Sequence, residues 1–214
     1  MPGPSSSPTA SSPVRELAAD LSAVATTTDQ RRLLVLSGDR DAGFDAAFEA
    51  IEGAGVADED VTFVTTREGL RFERLSPSRA DSLLGTTREL VVCDAHEGFS
   101  PNLLGRLAGV VDGGGLLVLV TPSLDAWPQL RTDFDDRLAV PPFTTDDVTG
   151  RFRGRLVDVL RSHPGVAVID VDAGEVRRGG DAADGANGGF AAGRTTAEDG
   201  RPSVSIRIPD DARA

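Results

Sequence analysis

Apolar positions fall into five short runs, broken only by Thr62 in the second, separated by stretches in which apolar residues recur every three or four positions. The runs cover residues 33–36, 61–64, 90–93, 116–120 and 166–169. A strand apolar on both faces is what a parallel sheet covered by helices requires. The intervening segments have helical spacing. Ser12-Pro13 opens the first, a cap residue followed by a proline at the first helical position, with Val14, Leu17, Ala18, Leu21, Val24 and Ala25 on one face. Phe44, Ala47, Phe48 and Ile51 form the second stripe, stopped by Gly53 and Gly55. Residues 70–77 read as a loop or short irregular strand, and residues 78–84 as a short helix closed by Gly85.

Residues 88–122 are the clearest unit. A run ending at Cys93-Asp94 is followed by Ser100-Pro101 and a stripe of Leu103, Leu104, Leu107, Val110 and Val111. Gly113-Gly114-Gly115 stops that stripe, and a second run leads to Thr121-Pro122. Strand, crossover helix, strand is the βαβ unit. Residues 131–142 are weakly patterned. Thr144-Thr145-Asp146-Asp147 then reads as a helix start, with Phe152, Leu156, Val159 and Leu160 as its buried stripe. The alternation predicts an α/β fold: a doubly wound, three-layer, mostly parallel sheet of about five strands, Rossmann-like. Its boundaries are a disordered tail over 1–12, a domain over 13–173, a flexible Gly/Asp/Ala linker over 174–202, and a segment over 203–214 whose strand at 203–208 is an edge of the same sheet or the start of a following region.

Composition narrows the chemistry. The net charge is −12, and all 22 basic residues are arginine. An acidic surface of this kind keeps a protein soluble in concentrated salt, where screening shortens the Debye length to about 3 Å at 1 M. Cys93 is the sole cysteine, so no intrachain disulfide can form, and a cytoplasmic setting fits. No apolar stretch approaches a membrane span, and the first residues lack the pattern of a signal peptide.

Four constellations could carry chemistry. Ser37-Gly38-Asp39-Arg40-Asp41-Ala42-Gly43 occupies the phosphate-loop position after the first strand. It has neither the lysine of a P-loop nor the spacing of a dinucleotide fingerprint, and reads as a turn and helix cap. Asp94, His96 and Glu97 follow the third run, like the Mg-binding strand of a nucleotide hydrolase without its phosphate loop. With Thr121 they make the candidate rim of the sheet, where ligands of such folds gather. The Gly113-Gly114-Gly115 turn is a late methyltransferase pattern without the early adenosyl-binding glycines. Arg151, Arg153 and Arg155 could grip RNA phosphates, beside Arg106, Arg131 and Arg137 on neighbouring elements, and Trp127 is a packing anchor or a base-stacking platform. No catalytic triad and no metal-ligand set is readable.

Several stretches together resemble one family. They are Arg31-Arg32-Leu33-Leu34-Val35-Leu36-Ser37-Gly38, Leu84-Gly85-Thr86-Thr87-Arg88, Val92-Cys93-Asp94-Ala95-His96-Glu97-Gly98-Phe99, and the glycine turn running into Val120-Thr121-Pro122. Leu124-Asp125-Ala126-Trp127-Pro128 and Gly150-Arg151-Phe152-Arg153-Gly154-Arg155-Leu156 continue the series. The order is similar to the N-terminal domain of the tRNA(Met) cytidine acetyltransferases, in a halophile-type form, over about residues 14 to 173. The resemblance implies a parent protein several times longer, with an ATPase module, an acetyltransferase module and a tRNA-binding tail. It implies ATP, Mg and acetyl-CoA as the parent's cofactors and none in this segment. It implies N4-acetylation of the wobble cytidine of elongator tRNA(Met) as the parent reaction, and no catalytic residue here. The expectation is a domain that docks on the ATPase module and contacts tRNA. A stand-alone interaction or scaffold domain, and a methyltransferase-like enzyme using S-adenosylmethionine, are the alternatives.

Overall fold

The computed structural model describes residues 12–179. The expected tail up to residue 11 and the expected strand at 203–208 lie outside them. In chain order the elements are α1 (Pro13–Thr28), β1 (Arg32–Ser37), α2 (Arg40–Ala54), β2 (Val61–Val64), β3 (Glu73–Leu75), β4 (Arg88–Asp94), α3 (Pro101–Val110), β5 (Val111–Thr121), α4 (Asp133–Leu138), α5 (Arg151–Ser162), β6 (Val166–Asp170) and β7 (Glu175–Arg178). They build one sheet in the order β3-β2-β4-β5-β1-β6-β7, parallel throughout except for the final antiparallel pair. All five apolar runs are strands of it.

β3 falls within the stretch read as a loop or short irregular strand, and β7 was not expected. β3 and β7 are three and four residues long, and their side chains are mostly exposed, so neither carries the apolar run that marks the inner strands. β7 occupies the start of the stretch read as linker from Gly174.

Alternate strand residues feed two cores. Leu34, Leu36, Phe63, Val92, Val118 and Ile169 face α1 and α2. Val35, Val91, Cys93, Leu117, Leu119 and Val168 face α3, α5 and the 3-10 turn Pro77–Leu83. The sheet is thus the middle of three layers. Burial pushes the Cys93 thiol pKa up, which keeps it a neutral packing group.

The helix starts follow the sequence. The side chains of Ser12, Asp39 and Ser100 accept hydrogen bonds from the first backbone N–H groups of α1, α2 and α3. α3 passes directly into β5, and the glycine triplet forms a bulge at the start of that strand instead of a separate stop. Between the pairs Arg88–Val111 and Leu90–Leu116, two steps on β4 match five on β5. Gly114 takes a positive φ of 86° there.

The later half departs further. Thr144 and Asp147 form a capping box, but on the 3-10 turn Thr145–Asp147, and α5 starts only at Arg151. The buried stripe of α5 is Arg153, Val157 and Leu160. Phe152 and Val159, expected inside, are exposed. The helix is rotated because Arg153 has a partner inside the fold. No helix among the described residues is long and apolar enough to cross a membrane.

Candidate functional site

The carboxyl ends of the strands carry a row of buried polar side chains: Ser37 on β1, Thr65 after β2, Asp94 on β4 and Thr121 on β5. Asp94 is the centre. Its Oδ2 accepts from Arg40 Nε at 3.1 Å, from a terminal guanidinium nitrogen of Arg40 at 2.6 Å, and from the Thr65 hydroxyl at 2.8 Å. Its Oδ1 accepts from the His96 backbone N–H at 3.0 Å and lies 3.3 Å from His96 Nδ1. The other ring nitrogen of His96 lies 3.3 Å from the Gly38 carbonyl. Arg40 also donates to Thr66 at 2.8 Å and pairs with Glu97 at 3.2 Å. Burial alone would raise the Asp94 pKa. The hydrogen bonds from His96, Thr65 and Arg40 outweigh it, so the carboxyl titrates below its ordinary range.

Arg40 is the residue of this centre that the sequence alone did not single out. It sits in the first turn of α2, where the helix dipole disfavours a cation. A lone arginine at that position, after a strand of a parallel sheet, calls for a carboxylate on a neighbouring strand end, and that was the available signal. The pair ties α2 to β4 across β1 and β5.

The same segment does not fit a nucleotide. The Asp39 side chain occupies the N–H groups of Asp41 and Ala42, which a phosphate would need. Gly38 adopts φ 142°, and a Cβ there would lie 2.6 Å from a carboxylate oxygen of Asp172. Among the described residues no three His, Cys, Asp or Glu side chains are placed to hold a metal ion. Every oxygen of Asp94 has a partner, which leaves no free base. The Thr121 hydroxyl is buried without one. Of the four rim candidates, Asp94 and Thr121 are therefore inside the fold and cannot be docking contacts. Glu97 is exposed and His96 partly so.

The arginine candidates also separate. Arg153 is 5% exposed. Its guanidinium meets Asp135 Oδ1 at 2.9 Å and donates to the Trp127 carbonyl at 3.0 Å and the Leu130 carbonyl at 2.5 Å. Asp135 accepts in turn from the Thr132 N–H at 2.8 Å. Trp127 is 1% exposed and packs on Phe99, with ring centroids 5.1 Å apart. Neither Arg153 nor Trp127 reaches the surface, which corrects their place among RNA contacts. A charge buried with a strong partner and further hydrogen bonds to two carbonyls and, at 3.4 Å, the Thr132 hydroxyl is a fold anchor. Arg151, Arg155 and Arg137 are exposed, and none forms an ion pair among the described residues.

A groove of about 480 Å³ lies between α5 and β7, lined in part by Leu124, Arg161, Val168 and Arg177. Its cations are spoken for: Arg161 pairs with Asp125 at 2.6 Å, and Arg177 with Glu175 at 3.2 Å.

The family model described as "tRNA(Met) cytidine acetyltransferase TmcA, N-terminal" matches residues 10–171. The chain belongs to the TmcA N-terminal family. It is similar to the tRNA(Met) cytidine acetyltransferase TmcA of Haloferax volcanii, 68% identical over 167 residues, which are 78% of this chain and 22% of that protein. The protein of the same name from Haloarcula marismortui is 47% identical over 165 residues, 77% of this chain and 21% of that one. A more distant relative, from Pyrococcus abyssi, is 38% identical over 96 residues, 45% of this chain and 12% of its own length. The chain thus spans about a fifth of the haloarchaeal relatives it matches. The TmcA N-terminal match includes β1 to β6 and both ion-pair centres, Arg40–Asp94 and Arg153–Asp135. β7 lies just beyond it.

Proposed function

We propose that this chain is the non-catalytic N-terminal module of a tRNA(Met) cytidine acetyltransferase, serving as a docking platform for modules that carry out ATP- and acetyl-CoA-dependent acetylation of the tRNA(Met) wobble cytidine. The observation that carries the reading is the Arg40–Asp94 clamp, within a domain whose family match is N-terminal. The sheet edge where α/β folds place ligands is closed by an internal ion pair at 2.6 Å, and the helix N-terminus beside it is capped by Asp39. Such an edge supports packing better than phosphate or acyl chemistry. The early turn is equally spent on capping, which counts against a methyltransferase.

Contact with tRNA is the runner-up reading for the exposed Arg137, Arg151 and Arg155, which form no ion pair among the described residues of an acidic chain. The test is an acetylation assay with ATP, Mg, acetyl-CoA and a tRNA(Met) transcript. This chain alone is expected to form no N4-acetylcytidine, whereas the intact Haloferax volcanii relative forms it. Acetylcytidine produced by this chain alone would overturn the reading. So would unchanged turnover when the relative lacks the segment matching residues 12–179.

A further inference from the structure

The outer face of α4 and α5 carries exposed apolar side chains beside two, Phe134 and Leu156, that are partly buried. Phe134 and Leu138 lie one turn apart on α4, and the Phe134 ring meets Phe152 of α5 edge-on at 6.1 Å. Phe152, Leu156 and Val159 then run along α5 at helical spacing, while Arg153, Val157 and Leu160 face inward. Beyond Leu138 the chain makes a turn in which the Phe143 N–H donates to the Val140 carbonyl at 3.0 Å. Val140 is 62% exposed and Phe143 64%, with Leu138, Phe152 and Val159 between 39% and 49%. Single exposed apolar residues are ordinary. Here Phe134 and Phe152 touch, Val159 continues their stripe along α5, and Leu138, Val140 and Phe143 follow Phe134 along the chain; such a set marks an interaction surface.

Its charges indicate what covers it. Arg155 lies three residues from Phe152 and four from Val159, so it borders the α5 stripe. Arg151 stands one turn before it, and Arg137 lines the same small cleft as Phe134 and Phe152. In a chain with 34 carboxylates, these three arginines form no ion pair among the described residues. An apolar centre with uncompensated arginines at its margin matches a partner face with apolar anchors and a carboxylate rim. RNA is the poorer fit. Asp133, Asp136, Asp146 and Asp147 are exposed or half-exposed beside the patch and would repel phosphates, and the aliphatic side chains of Leu138, Val140 and Val159 offer no stacking face.

We infer that the α4–α5 face is the docking surface for the polypeptide that follows this domain in the intact enzyme, through an apolar segment edged with Asp and Glu. This rests on the proposed function. The relatives carry nearly four fifths of their length outside the matched region. A face covered by the same polypeptide binds at the high effective concentration that a tether provides.

Hydroxyl-radical footprinting tests it. The 214-residue chain is compared with an intact chimera in which its residues 12–179 replace the matching segment of the Haloferax volcanii relative. Oxidation of Phe143, Phe152 and Leu138 should fall about five-fold or more in the chimera, as expected for side chains moved into an interface core. A Phe143→Asp/Phe152→Asp chimera should restore Leu138 reactivity to that of the isolated chain. Equal oxidation of Phe143 and Phe152 in both wild-type proteins overturns the assignment. If protection instead appears at Leu84, which is 58% exposed beside α3, docking stands and this surface does not. If no described position is protected, the docking reading itself fails. Protection that appears only with added tRNA(Met), or that grows with concentration of the isolated chain, assigns the face to RNA or to a second copy and likewise overturns the inference.

Discussion

At the scale of single residues, the fold spends its two best-paired arginines on internal work. Arg153 gathers Asp135 and the carbonyls of Trp127 and Leu130, and so fixes the long excursion between β5 and α5. Arg40 does the same for the strand ends through Asp94. The second pair makes a pH-dependent prediction. Asp94 has a folded pKa below its ordinary value of about 3.9. Such a group stabilises the fold above its unfolded pKa, and that contribution is lost as pH falls through the folded pKa. In Arg40→Met, burial of the Asp94 charge is no longer opposed by the guanidinium. Because Arg40 is about a quarter exposed, solvent already screens part of the interaction, and a loss of about 1–3 kcal/mol at pH 7 is expected. The deficit should shrink as the pH falls below about 4 and through the lowered folded pKa of Asp94, as the wild-type carboxyl also becomes protonated. Urea unfolding at pH 7, 5 and 3 measures it. A deficit of the same size at all three pH values would show that Arg40 acts by packing and not by charge.

At the scale of elements, two glycines with the same helical conformation should respond in opposite directions. Gly53 lies near the end of α2, where a Cβ would collide with the backbone carbonyl of Arg15 on α1. Gly53→Ala must push the two helices apart and is expected to cost about 1–3 kcal/mol. Gly105, within α3, has open space where its Cβ would stand. Gly105→Ala should stabilise by about 0.5–1 kcal/mol, the usual helix penalty of glycine. Thermal melts of the two variants decide it; a stabilised Gly53→Ala would mean that the α1–α2 contact is looser than the structure shows. The element scale is also where the sequence was most readable. The five inner strands announced themselves because both their faces are buried, and α1 to α3 because their caps are local Ser, Asp and Pro signals. β3 was readable only as a loop or short irregular strand, and β7 not at all, because edge strands need no apolar run. The α5 stripe was misassigned because hydropathy alone gives Phe152 more claim to the interior than Arg153. Only a partner from α4, 18 residues earlier, reverses that order. The candidate site was half legible for the same reason. Asp94 could be placed at a strand end, but the Arg40 that neutralises it lies 54 residues away.

For the whole molecule, charge is the governing quantity. The chain has 34 acidic and 22 basic residues. Most of its ion pairs lie on the exposed surface, where each contributes about 0–1 kcal/mol, too little to offset repulsion among the excess carboxylates. Among the described residues the two well-buried carboxylates, Asp94 and Asp135, are already neutralised by Arg40 and Arg153 and feel added salt little. The balance therefore turns on screening. Between 0.1 M and 1 M salt the Debye length falls from about 10 Å to about 3 Å, which suppresses long-range repulsion more than contact pairing. The net effect of KCl should be stabilising, with the urea midpoint rising steadily from 0.1 M to molar concentrations. Urea is the suitable denaturant because guanidinium chloride would itself screen. A midpoint that falls with KCl would mean that the surface ion pairs, not carboxylate repulsion, dominate the electrostatics, and that the acidic composition has no role in holding this fold in concentrated salt.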